Sequence, residues 1–91
     1  MITINKYDLP FYGEVELNIP YGSQFLSAKM QDRKLVLFAI VDSEATVETR
    51  RFKIYSTGKI IDRINLNSLK FISTIQDEHW CEAWHVFEIT K

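Results

Sequence analysis

Residues Leu35–Val41 have the sequence LVLFAIV and are apolar at every position. A strand with two apolar faces is typical of the centre of a sheet that is covered on both sides. A run of seven residues is also shorter than most helices of globular proteins. The pattern therefore predicts a central strand. Asp32-Arg33, which separates it from residues 24–31, predicts a tight hairpin with the preceding strand.

Strand-like stretches flank this central strand on both sides. Alternating segments predict further strands at residues 2–6, 14–19, 24–31, 46–57, 69–76 and 81–89, with a break at 7–10 and turns at 20–23 and 56–59. In the second of them, Val15, Leu17 and Ile19 are expected to face inward. Residues 60–69 are less regular and predict either a short helical turn or an irregular crossing.

About seven short strands and no long helix predict an all-β fold. Hairpin-like spacing along the chain favours a small antiparallel sandwich or a partly closed barrel. Because the chain has 91 residues, we expect a single β domain that spans residues 1–91.

The final strand, Cys81–Ile89, alternates with a period of two residues. One face carries Cys81, Ala83, His85, Phe87 and Ile89, and the other carries Glu82, Trp84, Val86 and Glu88. We expect the first face to pack in the core, with His85 as a core histidine that is hydrogen-bonded to the backbone or to an acid. The second face would present Trp84 beside two acids. Trp84 would then act as an interface anchor or as a stacking platform. Alternatively, Trp84 would belong to a small second core under a loop.

The charge balance argues against long nucleic acids as partners. Eleven Lys and Arg residues against twelve Asp and Glu residues leave a net charge of −1. Nucleic-acid-binding proteins usually carry a basic excess, because neutralising phosphates supplies much of their affinity. A small phosphate-bearing ligand needs only a few local cations and is compatible with this charge.

Cysteine usage and hydropathy predict a cytoplasmic protein without membrane contact. No apolar run approaches the length of a membrane span, and the first residues lack the pattern of a signal peptide. The one cysteine, Cys81, cannot form an intramolecular disulfide. We expect it to be a buried thiol in a reducing compartment.

No combination of residues predicts catalysis. His79, Cys81 and His85 fall short of the four ligands of a structural zinc site and match no nucleophile–base signature. Acids at positions 14 and 16, and at 82 and 88, have the spacing of solvated strand faces. The sequence therefore predicts a non-enzymatic protein with no catalytic residues, no metal and no cofactor.

Two adjoining segments are candidates for ligand binding. The turn Ser56-Thr57-Gly58-Lys59 can present backbone N–H groups and hydroxyls to phosphate oxygens, although most such turns are only turns. The strand before it carries cationic and aromatic side chains at Arg50, Arg51, Lys53 and Tyr55. Such side chains can pair with phosphates or stack on bases. The alternative is a solvated face with ion pairs to Glu48 or Glu82.

An ordered set of short segments resembles one protein family along nearly the whole chain. The segments are residues 19–22, 25–26, 31, 35–42, 51–52, 56–58, 71–76 and 84–88. The most specific is Trp84-His85-Val86-Phe87-Glu88 after the step from Thr74 to Gln76. On these residues the chain is similar to a family of small proteins, frequent in bacteriophage genomes, that is known as a domain of unknown function. We expect that family to include phage counter-defence (anti-CBASS) sponge proteins.

The resemblance implies a homo-oligomer, a dimer or a tetramer, that sequesters a cyclic nucleotide signal of the host's immunity in the cytoplasm of the infected bacterium. The pocket would lie between subunits. Its implied contacts are phosphate pairing by Arg50 or Arg51, stacking by Tyr55 and Trp84, turn contacts by Ser56, Thr57 and Gly58, and base-edge recognition by Thr74 and Gln76.

The chain departs from the family pattern at three positions. Phe38 stands where the family has tryptophan, Ser56 where a glycine opens the turn, and Lys59 where histidine is common. If the turn contacts a ligand, these changes alter which ligand it prefers.

Two other functions fit the same residues. A protein–protein inhibitor would bind a host factor through an exposed sheet edge or through the Trp84 face. An enzyme, such as a nuclease or a nucleotide hydrolase, would use His85 or His79.

Overall fold

In the computed structural model, which describes residues 1–77 and 79–90, seven strands and one helical turn make up the fold. The strands are β1 (Ile2–Leu9), β2 (Gly13–Pro20), β3 (Gln24–Gln31), β4 (Lys34–Asp42), β5 (Val47–Ser56), β6 (Leu69–Asp77) and β7 (Glu82–Ile89). The helical turn α1 (Arg63–Leu66) lies between β5 and β6. Of the two forms predicted for residues 60–69, the structure therefore has the short helical turn rather than the irregular crossing. Within the described part of the chain, no helix has the length and apolar character needed to cross a membrane.

The strands form two antiparallel sheets. One sheet has the order β1-β4-β3 and the other the order β2-β5-β7-β6, so the predicted all-β class and the central position of β4 are confirmed. Along one side the sheets meet at β3 and β6, where Ser73 Oγ donates a hydrogen bond to the carbonyl of Ala28 over 3.2 Å. The fold is a sandwich rather than a closed barrel.

Backbone geometry confirms the predicted hairpin between β3 and β4. Gln31 pairs with Lys34, and the two residues between them have φ angles of 51° and 64°. Two successive positive φ angles are typical of a two-residue turn whose twist matches the adjoining strands. The predicted break at residues 7–10 is wrong for its first three residues, because β1 continues to Leu9 and pairs with β4 as far as Leu35. Pairing with a long neighbouring strand outweighed the local turn propensity.

The core lies between the two sheets. Its fully buried side chains include Ile19, Leu35, Leu37, Val41, Phe52, Ile54 and Val86. Val15 and Leu17 of β2 pack against this core beside the buried Ile19, so the predicted inward face of β2 is confirmed. Burying one side chain of this size contributes about 1.5–3 kcal/mol.

The predicted orientation of β7 is wrong. Trp84 is only 3% exposed and Val86 is fully buried, whereas His85 and Phe87 lie on the opposite, partly exposed face. Alternation identifies which residues share a face but not which face is inside. The indole of Trp84 removes more apolar surface from water than the imidazole of His85 does, and it decides the direction. Cys81, expected to be buried, is exposed immediately before β7.

Candidate functional site

A cleft opens at one end of the four-stranded sheet. β2 begins at Gly13, which pairs with Ile54, so β5 extends two residues beyond it. The edge of β5 that is left uncovered forms one side of a hollow of about 680 Å³, within the size range of ligand pockets. We call this hollow the aromatic cleft. It is lined mainly by Phe11, Tyr12, Tyr55, Trp80 and Trp84, together with Lys53, Lys59 and Glu82.

Three packed rings form the aromatic side of the cleft. The ring of Phe11 lies 5.1 Å from that of the buried Trp84 and 5.8 Å from that of Trp80. Trp80 lies in the turn between β6 and β7, is 43% exposed, and stands 6.1 Å from Trp84. Contacts at these separations hold aromatic rings in a defined arrangement. The cleft therefore has a fixed floor and, at Trp80, a ring that solvent or a ligand can reach.

The backbone conformation of Gly13 explains how Phe11 and Tyr12 come to line the cleft. Its φ of +90° lies in a region that side-chain-bearing residues rarely adopt. The glycine directs the chain from the loop into β2 and leaves Phe11 and Tyr12 beside the end of β5. Tyr12 is largely exposed at the rim.

Two lysines and one acid supply the charge of the cleft. Lys53 Nζ lies 5.6 Å from the centroid of the Tyr55 ring, which is a cation–π distance. Lys59 and Glu82 also line the cleft, and in the described chain their charged groups take part in no hydrogen bond or ion pair. Charged groups that are not engaged within the protein are available to a ligand.

A second hollow adjoins the aromatic cleft. It has a volume of about 570 Å³ and is lined by Thr57, Gln76, Asp77, Cys81, Glu82 and Ala83. Glu82 lines both hollows. The two hollows together are large enough for a ligand with two linked parts.

The turn after β5 is closed by its own backbone. Thr57 N–H donates to the carbonyl of Ala83 over 3.1 Å, and Lys59 N–H donates to the carbonyl of Ser56 over 3.2 Å. Gly58 supplies the positive φ of +93° that the turn requires. The N–H groups of Thr57 and Lys59 are therefore already used within the protein, and the predicted cradle of backbone N–H groups for a phosphate does not form at these two residues.

His85 lies on the outer face of the four-stranded sheet between two threonines. Thr57 Oγ1 is 2.8 Å from His85 Nε2, and Thr74 Oγ1 is 3.0 Å from Nδ1. In the neutral imidazole one nitrogen donates and the other accepts, and hydroxyl groups can serve both. The prediction of a core histidine bonded to backbone or to an acid is wrong. His85 instead joins β6 to the turn after β5.

Arg50 points to the inner face of β5, opposite to Arg51. Its guanidinium forms a two-pronged ion pair with Glu88, donates to the carbonyl of Ser23 over 2.9 Å, and lies 4.5 Å from the centroid of the Phe25 ring. Hydrogen bonding to Glu88 raises the pKa of Arg50 above its ordinary value. Arg50 therefore does not share the outer face of Arg51, Lys53 and Tyr55, and it stabilises the fold.

Arg51 lies on the outer face of β5 and does not line the cleft. It forms an exposed ion pair with Glu14, with Nη2 2.6 Å from Oε2. The expected partners were Glu48 or Glu82. Four residues of extended strand separate Arg51 from Tyr55, a distance of about 13 Å. The structure does not bring Arg51 to the hollows near Thr57 and Gln76.

The sequence-predicted residues fall into separate groups. Tyr55, Ser56 and Trp84 line the aromatic cleft, and Thr57 and Gln76 line the second hollow. Thr74 is bonded to His85 instead. Sequence reasoning missed Phe11, Tyr12 and Trp80, although aromatic residues in loops beside Gly13 and before β7 were a signal for them. In residues 1–77 and 79–90, no three potential metal ligands lie close enough to hold an ion.

A model of a domain of unknown function, DUF7352, matches residues 1–91. The chain belongs to the DUF7352 family. The predicted membership of a family of unknown-function domains is therefore confirmed over the whole length of the chain. No curated protein and no solved structure shows significant similarity to it. For this DUF7352 chain, the geometry of the aromatic cleft carries the functional argument.

Proposed function

We propose that this protein binds a nucleotide ligand in the aromatic cleft and releases it chemically unchanged. The observation that carries the proposal is the combination of an exposed tryptophan on a fixed aromatic floor with two lysines in one hollow of about 680 Å³. Every nucleobase has a face that stacks on an aromatic ring, and stacking contributes about 1–3 kcal/mol per base. Lys53 and Lys59 supply the positive charge that a phosphate requires.

The ligand that fits best is a cyclic dinucleotide. The second hollow adjoins the aromatic cleft at Glu82 and offers the hydroxyl of Thr57 and the amide of Gln76. One base stacks on Trp80, while the second part of the ligand lies beside Gln76. In this arrangement the lysines take the phosphate role that the resemblance implied for Arg50 or Arg51.

The biological role that we propose is phage counter-defence. The resemblance to phage sponge proteins supports it, because such a protein sequesters a cyclic dinucleotide immune signal in the cytoplasm of the infected host. Sequestration needs affinity rather than chemistry. His85, the strongest candidate for a general base, has both ring nitrogens hydrogen-bonded to threonine hydroxyls, which supports a role in binding or structure.

The resemblance also implies assembly into a dimer or a tetramer, and this part is retained in the proposal. Exposed apolar side chains on the outer surface, such as Phe71 at 57%, support association. The aromatic cleft is nevertheless lined within one chain, so a single copy already supplies a hollow, whereas the resemblance implied a pocket between subunits.

Calorimetry with cyclic dinucleotides tests the proposal. The wild-type protein should bind at least one of them, and Trp80→Ala should weaken that binding about tenfold or more. Tyr21→Ala is the matched control, because Tyr21 is an exposed aromatic residue that lines a different hollow. Ligand recovered after heat denaturation should have its original mass. A hydrolysed ligand would show that the protein is an enzyme.

A protein–protein inhibitor is the second candidate function. β1 is an edge strand of eight residues, and Ile2 and Ile4 on it are mostly exposed. An exposed edge can accept an added strand from a partner. If Ile4→Lys abolished capture of a host protein while nucleotide binding was absent in the wild type, this function would replace the first.

A further inference from the structure

Glu82 is the acidic side chain that faces the aromatic cleft. As the first residue of β7, it follows the turn that carries Trp80 and pairs with Asp77 of β6. Its carboxylate is exposed and, within the described residues, is engaged by no hydrogen bond or ion pair. It therefore places two unused acceptor oxygens at a hollow that is also lined by aromatic rings, by two lysines and by Ser56.

A carboxylate beside a stacking ring discriminates between nucleobases. An ionised carboxylate only accepts hydrogen bonds, and two parallel donors satisfy both of its oxygens. Guanine offers such a pair on its Watson–Crick edge, from N1–H and the N2 amino group. Adenine and cytosine place an acceptor nitrogen beside their amino group, and uracil flanks its single N–H with two carbonyls. Only guanine matches both carboxylate oxygens without repulsion.

We infer that the aromatic cleft selects a guanine base, which stacks on Trp80 and donates its N1–H and N2–H groups to the Glu82 carboxylate. This inference rests on the proposed function and names the base that the first hollow takes. Lys53 and Lys59 in the same cleft argue against a simple cationic partner for Glu82, because they repel a positively charged ligand. A nucleotide satisfies all three charges, since its base meets the acid and its phosphates meet the lysines.

Calorimetry at fixed salt with cyclic di-GMP, cyclic GMP–AMP, cyclic di-AMP and cyclic di-IMP tests the inference. The inosine compound keeps N1–H and lacks the N2 amino group, so it isolates the second hydrogen bond. The two guanine-containing ligands should bind about 10- to 100-fold more tightly than the other two, as expected for charge-assisted hydrogen bonds. Glu82→Gln should remove this preference and leave the affinity for cyclic di-AMP within about threefold of wild type.

Glu16→Gln is the matched control. Glu16 is an exposed acid of the same four-stranded sheet that lines neither hollow, so its neutralisation should leave the guanine preference intact. Glu82→Asp keeps the charge but withdraws the carboxylate by one methylene, and it should lower guanine affinity without unfolding the protein. Melting temperatures of all three variants report whether the fold is retained.

The outcomes separate the inference from the proposed function. If all four ligands bind equally and Glu82→Gln changes nothing, nucleotide binding stands and guanine selection is wrong. If the wild type binds none of the four, the proposed function itself fails. If the preference is present but persists in Glu82→Gln, another group reads the base and the role of Glu82 is wrong.

Discussion

The charged side chains at the two ends of the paired strands β5 and β7 differ in whether they are engaged within the protein. At the end where β5 begins, Arg50 and Glu88 are largely buried and engage one another, Ser23 and Phe25. At the other end, Lys59 and Glu82 line an open cleft, and in the described structure no ion pair or hydrogen bond engages their charges. A buried charge has to be compensated within the fold, whereas an exposed charge can be kept for a ligand. The first end supports stability and the second supports binding.

The strongest way to break this comparison is to remove one charge at the closed end. Arg50→Ala leaves Glu88 buried without its partner, and we expect the free energy of unfolding to fall by about 3 kcal/mol. Urea denaturation measures the change. Nucleotide affinity of the remaining folded protein should be unaltered, because Arg50 does not line the cleft.

A double variant sharpens the same test. Arg50→Met with Glu88→Leu replaces the ion pair by apolar groups of similar volume, and such replacements are often neutral or stabilising. If the double variant is as unstable as Arg50→Ala, the hydrogen bond of Arg50 to Ser23 and its cation–π contact with Phe25 stabilise the fold more than its pairing with Glu88 does.

At the open end, Trp80→Ala should weaken ligand binding more than it lowers the stability of the fold. We expect a loss of about 1–3 kcal/mol of binding free energy from lost stacking, with a smaller change in unfolding free energy because Trp80 is already 43% exposed. Calorimetry and urea denaturation, carried out on the same preparation, separate the two quantities. A variant that loses stability but binds normally would remove the cleft from consideration as the binding site.

Lys59→Ala tests the charge of the open end. Removing one phosphate contact should weaken binding by about 0.5–1 kcal/mol and reduce the dependence of affinity on salt. Lys70→Ala is the control, since Lys70 is exposed and lines the hollow near Glu88. Equal effects of the two variants would indicate a general influence of net charge rather than a phosphate contact in the cleft.

The smallest effect is expected for Arg51→Ala. Its ion pair with Glu14 is exposed, so the variant should lose little stability. Its nucleotide affinity should equal that of the wild type, because the Arg51 guanidinium is paired with Glu14 and Arg51 does not line the cleft. A large loss of affinity, measured by calorimetry, would move the binding site from the aromatic cleft to the outer face near Glu14.

The central strand and the last strand show how far the sequence could be interpreted. Leu35–Val41 is apolar on both faces, so either orientation predicts a central strand, and the structure confirms it. In β7 the same alternation left two orientations open, and the apolar content of the His85 face favoured the wrong one. The orientation depends on the contacts that the inward side chains make, namely Glu88 with Arg50 of the neighbouring strand and Trp84 with Phe11 of the loop before β2.

The candidate site was predictable only in part. Tyr55, Ser56 and Trp84 do line the cleft and Gln76 lines the adjoining hollow, since they lie near the connected ends of β5, β6 and β7. Arg50 and Arg51 are neighbours in sequence but face opposite sides of the sheet. Phe11 and Tyr12 are distant in sequence from Trp80, and only the packing of β2 beside β5 brings them together.

By itself, the sequence determined the strands, the hairpin at Asp32-Arg33 and the central position of β4, because these depend on local periodicity and turn geometry. The tertiary structure decided which face of β7 is buried, which arginine lies on the inner face of β5, and where an aromatic hollow opens. Those outcomes depend on contacts between segments far apart in the chain. Burial of the largest apolar side chains and the pairing of buried charges select among arrangements that local patterns leave equivalent.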